Sequence, residues 1–155
     1  MSKSSHDRTV HRKAGDYRWE GVELLPYKED DRALFKSITR QVLFSDPEMR
    51  GELRYFEVAP GGFSTLERHE HMHAVLILRG RGHCLVGGEV TPIDTRDLVT
   101  VPPMTWHQFR ATQGEPLGFL CMVNAERDKP QLPSAEDLAK LKADADIAAF
   151  LRDGN

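Results

Sequence analysis

The stretch that decides the fold is Glu67-Arg68-His69-Glu70-His71-Met72-His73, in which three of the seven histidines occupy alternating positions. Glu67 stands two residues ahead of the first of them. Side chains two residues apart on a β-strand point to the same face, so a strand here would present one carboxylate and three imidazoles together. These groups are ligands for zinc, iron, manganese, nickel and copper. The stretch therefore predicts a metal site.

Distance restricts how this stretch could bind one ion. A strand rises about 3.3 Å per residue, so Glu67 and His73 would lie roughly 20 Å apart on a straight strand, whereas ligand atoms lie about 2 Å from a metal. His73 can join Glu67 and His69 only if the chain bends between residues 69 and 73. We expect a further ligand from His107, which follows the turn Pro102-Pro103-Met104.

Two other interpretations of these residues stay open. The histidines could be incidental on a solvated polar strand, although His107 follows a proline-rich turn at the start of another strand. Cys84 or Cys121 could supply a ligand, but buried thiols more often fill a core. We expect both cysteines to be free thiols, because they form no spaced motif.

Short apolar segments separated by glycine and proline surround this stretch, and such spacing is typical of an all-β sandwich or barrel. A turn is predicted at Pro60-Gly61-Gly62. The predicted strands cover residues 37–44, 52–58, 74–78, 83–86, 98–101, 106–111 and 117–123. An outer strand ahead of them is predicted through Trp19, Val22, Leu24 and Leu25.

The two ends of the chain differ from this middle part. Residues 1–16 are polar and are expected to form a disordered tail, followed by the barrel over residues 17–128. Residues 129–155 are predicted to form a linker and one amphipathic helix packed on the barrel. Ser134 is a good N-cap, with Asp137 three residues on. Apolar residues then recur at helical spacing, at Leu138, Leu141, Ala145, Ala148 and Leu151.

Composition limits the classes of function. The chain has 155 residues and a formal net charge of -3, with acidic and basic residues interspersed, whereas nucleic-acid-binding proteins usually carry a basic face. No apolar run approaches the roughly 20 residues that span a bilayer, and the polar N-terminus does not resemble a secretory signal. We therefore expect a cytoplasmic protein that binds neither nucleic acid nor membrane.

The sequence resembles the cupin superfamily over roughly residues 50 to 125. The first cupin motif spaces a glycine, His-x-His, a glutamate and a closing glycine, and it corresponds here to Gly62, Glu67, His69, His73 and Gly80. A glutamate therefore replaces the first histidine, and a histidine replaces the glutamate. The second motif matches at Pro102 and His107, whereas its two glycines and its asparagine are replaced by Arg96, Met104 and Ala111.

The resemblance implies a double-stranded β-helix, or jelly-roll barrel, with a metal inside near one mouth and a coordination position open to substrate. It assigns the metal to Glu67, His69, His73 and His107, with His71 as the reserve ligand. The ion would be one divalent transition metal: iron, manganese, nickel or zinc. A homodimer is also implied, because cupins often pair through their outer strands.

The function that the resemblance favours is a metalloenzyme acting on a small molecule, of the oxygenase, isomerase or lyase type. Candidates to clamp an anionic substrate, or else to be surface charges, are Arg40, Arg54 and Arg110. Aromatic residues that could line the pocket or pack in the core are Trp106, Phe109 and Phe119. The alternative function is a cupin that binds or senses a small ligand without turning it over. A storage protein is less favoured, because such cupins are usually larger.

Overall fold

A computed structural model describes residues 9–27 and 36–151 of the chain. The described part is built mainly of antiparallel strands, as the strand spacing predicted, and ends in two short helices. The elements are β1 (Leu25–Pro26), β2 (Lys36–Asp46), β3 (Gly51–Phe63), β4 (His73–Arg79), β5 (Arg81–Val86), β6 (Glu89–Asp94), β7 (Leu98–Val101), β8 (His107–Ala111), β9 (Leu117–Asn124), α1 (Ala135–Lys142) and α2 (Ala145–Leu151).

The strands form one curled sheet in the order β6-β5-β8-β3-β9-β4-β7, and β2 pairs with β3 beside this path. β3 runs antiparallel to β9 from Gly51 to Val58, and then meets β8 where Phe63 pairs with Arg110. The predicted turn at Pro60-Gly61-Gly62 is therefore a bend inside a long strand. Gly61 has a φ of 71°, a value that glycine adopts without strain, and its N–H donates to the carbonyl of Thr112.

The hydrophobic core lies inside this curl, because alternate residues of each strand point inward. Val75 and Ile77 of β4 are fully buried, as is Leu117 of β9. Phe56 of β3 stacks against Phe119 of β9, with ring centroids 5.6 Å apart. Each fully buried aliphatic or aromatic side chain contributes about 1.5–3 kcal/mol to folding, so this interior holds the barrel that carries the site.

β6 was not predicted from the sequence. It contains Pro92, which cannot donate a backbone hydrogen bond, and proline normally argues against a strand. β6 lies at one end of the strand order and pairs only with β5 among the described strands. At such an edge the missing donor of Pro92 interrupts no second ladder, and proline is tolerated there.

The C-terminal segment forms two helices, so the prediction of one continuous helix was wrong. Ser134 and Asp137 make the predicted capping box at the start of α1. A second N-cap was missed: the Asp144 carboxylate accepts hydrogen bonds from the backbone N–H groups of Asp146 and Ile147, at 2.9 and 3.1 Å. This cap starts α2, whose buried residues pack against Leu66 and Leu85 of the barrel.

At the N-terminal end, the predicted outer strand is shorter than expected. Of the described residues ahead of β2, Leu25–Pro26 forms the strand that pairs with it, whereas Trp19 bridges to Lys13 and packs edge-on against Tyr55. Residues 1–8 of the predicted tail and residues 152–155 at the chain end lie outside the described residues, so the predicted domain boundaries stay a prediction. Within the described residues, no helix is long and apolar enough to cross a membrane.

Candidate metal centre

Two chain segments bring the histidines together. His73 begins β4 and His107 begins β8, whereas His69 lies in the connection between β3 and β4. This connection pairs with the segment ahead of β8: the Glu67 N–H donates to the His107 carbonyl, the His107 N–H donates to the Glu67 carbonyl, and the Met104 N–H donates to the His69 carbonyl. The pairing places His69 beside His107.

One ring nitrogen from each of His69, His73 and His107 lies within 4.8 Å of the other two. The ring centroid of His69 lies 5.1 Å from that of His73 and 4.8 Å from that of His107. His69 and His107 are buried, at 3% and 4% exposure. The structure thus brings together three of the four ligands expected from the sequence.

Each of these rings has its Nδ1 already engaged. His69 Nδ1 lies 2.6 Å from the His71 carbonyl and His107 Nδ1 lies 2.9 Å from the Thr105 carbonyl. Since a carbonyl only accepts, both rings carry their proton on Nδ1 and leave the Nε2 lone pair free. His73 Nδ1 lies 3.1 Å from Cys121 Sγ. Hydrogen bonds at the second nitrogen are typical of metal-binding histidines.

The surroundings of the His73 Nε2 atom indicate whether a metal ion fits this site. It is buried and has no hydrogen-bond partner in the described part of the chain. A buried polar atom without a partner costs free energy, and coordination to an ion would remove that cost. The donor set of neutral imidazoles suits transition metals, so these residues fit the group that the sequence implied.

Burial also keeps these rings neutral. Removal from water lowers the pKa of His73 to about 2, with the neighbouring His107 and His69 adding to the effect. Burial lowers the pKa of His107 to about 4, against the opposing hydrogen bond to the Thr105 carbonyl. The pKa of His69 is lowered for the same first reason. Because only neutral imidazole binds a metal, the site is ready to bind one at neutral pH.

The chain bend that brings His73 close to His69 lies at residues 70 and 71, and Asp128 stabilises it. The Asp128 carboxylate accepts from the backbone N–H groups of Glu70 and His71, at 2.7 and 3.0 Å, and lies 2.7 Å from His71 Nδ1. The hydrogen bond from Glu70 is the largest cause that holds the pKa of Asp128 below its usual range. The sequence carried no local signal for this residue, because Asp128 is 58 positions away from Glu70.

The two candidates for a fourth ligand both line the same cavity. Glu67 is 8% exposed, and its charge acts on the titration of His69 and His107. The His71 ring stacks on that of His69, with centroids 3.6 Å apart. Neither residue belongs to the group of mutually close ligand atoms found in the described residues, so their roles in metal binding stay predictions.

The histidines form part of the wall of a cavity of about 370 Å³, a volume suited to a small molecule. Four residues that were candidates for the pocket line it, namely Arg40, Arg54, Phe109 and Phe119. Two others face elsewhere. Arg110 lies over the rings of Phe63 and Phe150, at 4.5 and 5.3 Å, and Trp106 lies under Arg68 in a separate surface groove.

Both cysteines are buried free thiols, as expected. Cys84 belongs to the hydrophobic core, and its pKa is raised to about 11 by burial. Cys121 lines the cavity and contacts His73 and Arg54. One alternative from the sequence placed a cysteine among the ligands; Cys121 does lie beside His73, but it is not in the group of mutually close ligand atoms found in the described residues.

Comparison with known proteins agrees with this fold. A family model described as "Cupin domain" matches residues 54–123. The chain belongs to the cupin family. It is 62% identical over 151 residues to 1-methylthio-D-xylulose 5-phosphate methylsulfurylase of Rhodospirillum rubrum, and the match covers 97% of each chain.

Solved structures show the same barrel. A cupin 2 conserved barrel domain protein from Rhodopseudomonas palustris has a TM-score of 0.87 and 55% identity, covering 92% of this chain and 98% of its own. A cupin-2 domain protein from Rhodospirillum rubrum has a TM-score of 0.84 and 63% identity, covering 92% of this chain and 96% of its own. The prediction of a double-stranded β-helix is therefore confirmed.

Proposed function

We propose that this protein is a metal-dependent enzyme that removes the methylthio group from a 1-methylthio-pentulose 5-phosphate. The observation that carries the proposal is the set of three histidine nitrogens within 4.8 Å of one another on the wall of a cavity of small-molecule size. The substrate class comes from the name of the relative that is 62% identical along nearly the whole chain. This reaction is a group transfer, so it differs from the oxygenase, isomerase or lyase chemistry expected from the sequence.

His69, His73 and His107 would hold the ion, with Glu67 or His71 as a fourth ligand. Iron, manganese, nickel and zinc all suit this donor set. When bound, the metal supplies a Lewis acid that polarises an oxygen of the substrate. The protein residues form the site. The imidazoles stay neutral because they are buried, and the Asp128 carboxylate keeps the chain bent so that the rings converge.

The cavity wall combines apolar and cationic groups. Phe109 and Phe119 line one part of it, with ring centroids 5.0 Å apart, and they exclude water from the reacting end of a substrate. Arg40 and Arg54 also line it and would attract a phosphorylated ligand. Apolar walls with a few placed polar groups are typical of small-molecule sites.

The chemistry of such a substrate limits the reaction. The C1–S bond lies next to the C2 carbonyl, so the carbon side can accept the electron pair when the bond breaks. A balanced removal transfers the methylthio group to a thiol: an S–S bond forms, the thiol proton goes to C1, the two sulfurs are oxidised and the carbon is reduced. An assay therefore needs a low-molecular-weight thiol as the acceptor.

The test begins with elemental analysis of the purified protein beside a His69→Ala, His107→Ala double variant. We expect about one metal ion per wild-type chain and none in the double variant. The control is His83→Ala, because His83 is exposed on β5 and its loss should leave the metal content unchanged. Circular dichroism verifies that all three proteins are folded.

The second step incubates the metal-loaded protein with 1-methylthio-D-xylulose 5-phosphate and dithiothreitol, and follows the substrate by mass spectrometry. The proposal expects loss of the methylthio group with wild type and with His83→Ala, but not with the double variant. If the protein binds the metal and binds the substrate tightly but does not turn it over, the result supports the alternative function, a ligand-binding cupin. Failure to take up iron, manganese, nickel or zinc would refute the metalloenzyme.

A further inference from the structure

Arg40 and Arg54 lie side by side on neighbouring strands of the cavity wall. In the β2–β3 ladder Arg40 pairs with Phe56, and Val42 pairs with Arg54. The two arginines are therefore diagonal neighbours, for which the separation is about 7–8 Å. Both line the cavity that contains the histidines. The strand register thus directs two guanidinium groups to one part of a single cavity.

The donors of these two side chains are incompletely satisfied. The Nε atoms of both are buried and lack a hydrogen-bond partner among the described residues. Arg54 has a weak acceptor, Cys121 Sγ at 3.5 Å, and its Nε lies 3.8 Å from the Glu52 carboxylate. That carboxylate is shared with Arg127, whose Nη1 lies at 3.4 Å. A buried cation with spare donors is unfavourable unless an anion completes it.

Aromatic rings support both guanidinium groups. The Arg54 guanidinium carbon lies 4.9 Å from the centroid of the Phe56 ring, and that of Arg40 lies 5.6 Å from the Tyr27 ring. Stacking of this kind restricts the side chains, so less entropy is lost when a ligand binds. Arg127 differs, because its Nη1 also donates to the Asn124 carbonyl at 3.0 Å and is already occupied.

We propose that Arg40 and Arg54 form the subsite for a phosphate monoester, which they hold between them while the sugar end of the same molecule reaches the three histidines. Two guanidinium groups match a dianion with three acceptor oxygens, and arginine suits bidentate phosphate recognition. This inference rests on the proposed function for the identity of the substrate. It adds the residues that select a phosphorylated substrate over the free sugar.

The test measures binding without turnover, by calorimetry of the metal-loaded protein with D-xylulose 5-phosphate and with D-xylulose, which both lack the methylthio group. We expect wild type to bind the phosphate ester at least about tenfold more tightly than the free sugar, because each charge-assisted hydrogen bond is worth about that factor or more. Arg40→Gln should lose about tenfold or more for the phosphate ester, and nothing for D-xylulose.

Two further variants sharpen this test. Arg40→Lys keeps the charge without the planar fork, and is expected to fall between wild type and Arg40→Gln. Arg81→Gln is the matched control, because Arg81 is 67% exposed and pairs with Glu115; its affinity for both ligands should be that of wild type. Arg54→Gln is measured as well where melting shows that it folds, since Arg54 is buried.

Binding and turnover separate the two proposals. If Arg40→Gln binds the phosphate ester as tightly as wild type does, the subsite is refuted even when the enzyme is active. The same conclusion follows if Arg40→Gln weakens binding of D-xylulose as much as it weakens binding of the phosphate ester. If the phosphate ester binds through Arg40 but the methylthio substrate is not turned over, the subsite stands and the proposed reaction fails.

Discussion

Glu67 and His71 are the two candidates for the fourth ligand position, and their surroundings differ. Glu67 is 8% exposed and exchanges two backbone hydrogen bonds with His107. Its charge raises the pKa values of His69 and His107 against the stronger effect of burial, which places the carboxylate near both rings. The His71 ring lies parallel to the His69 ring, with 4° between the two planes, so the in-plane lone pairs of these two rings do not converge on one point. The surroundings therefore favour Glu67.

We predict that Glu67→Gln weakens metal binding by about tenfold or more, because a carboxylate ligand would be lost. His71→Gln should weaken it less, since the backbone hydrogen bonds that hold the bend remain. Affinity is measured by titrating chelator-treated protein with Mn²⁺ and with Zn²⁺. If His71→Gln loses more affinity than Glu67→Gln does, His71 is the ligand and the assignment to Glu67 is wrong.

At the scale of single residues, the sequence could predict which side chains converge but not what holds them. The alternation of His69, His71 and His73 is local, so it was visible in the sequence. Cys121 and Asp128 reach the histidines only through the fold, at separations of 48 and 58 residues. Their contacts depend on how β9 and the chain after it are placed, which a local pattern does not encode.

At the scale of elements, the site depends on one bend between β3 and β4. A straight strand would separate the histidines, and the required bend was predictable from the rise per residue alone. The Asp128 carboxylate replaces the strand ladder that residues 70 and 71 lack, by accepting both of their N–H groups. The hydrogen bond from His71 is partly buried, whereas that from Glu70 is exposed. Because a buried N–H group needs a partner, Asp128 stabilises the bend mainly at His71.

Asp128→Ala should lower metal affinity by about tenfold or more, the usual effect of losing a group that orients the ligands. Amide hydrogen exchange at residues 70 and 71 should become faster in the same variant, because two hydrogen bonds are lost. Glu126→Ala is the control, since Glu126 is exposed two positions earlier. Unchanged affinity and unchanged exchange in Asp128→Ala would show that the bend does not depend on this carboxylate.

Strands were predicted correctly where inward-facing residues recur regularly along the chain. Elements were missed where their structure depends on contacts with neighbouring segments. β4, β7 and β9 carry alternating inward residues, and their strands were predicted within one or two positions. β6 was missed because Pro92 is acceptable only at an edge, and edges are a property of the sheet. The break between α1 and α2 was missed because the apolar spacing continues through Asp144, which caps the second helix.

At the scale of the whole molecule, the barrel was predictable from the sequence, and so was the convergence of His69, His73 and His107, whereas the reaction was not. The fold follows from strand spacing, and many activities share it. The reaction depends on which groups line the cavity with the histidines, and Arg40 and Arg54 come there from β2 and β3. Arg110 was an equal candidate from its sequence pattern, but the sheet directs it toward Phe63 and Phe150.

The buried histidines also make folding depend on pH when no metal is bound. The pKa of His73 is lowered to about 2 and that of His107 to about 4, from 6.5. Between pH 6.5 and pH 4 the unfolded chain therefore binds protons at these two positions that the folded chain does not. Stability rises with pH wherever the unfolded state binds more protons, so it decreases as the pH is lowered through this range. Well above pH 6.5 neither histidine affects it.

We predict that chelator-treated protein keeps a constant free energy of unfolding from pH 8 to about pH 7. Below pH 6.5 the value should decrease by about 1 kcal/mol per pH unit for each of the two histidines. Urea unfolding at a series of pH values measures this slope. His73→Gln should reduce the slope by roughly a third to a half, because one proton is no longer gained on unfolding while His107 and His69, whose pKa values are also lowered, still gain theirs. His83→Gln is the control and should leave the slope unchanged, because the His83 side chain is exposed. A free energy of unfolding that stays constant from pH 7 to pH 5 would mean that the folded protein protonates these rings, and would contradict the buried, neutral site on which metal binding depends.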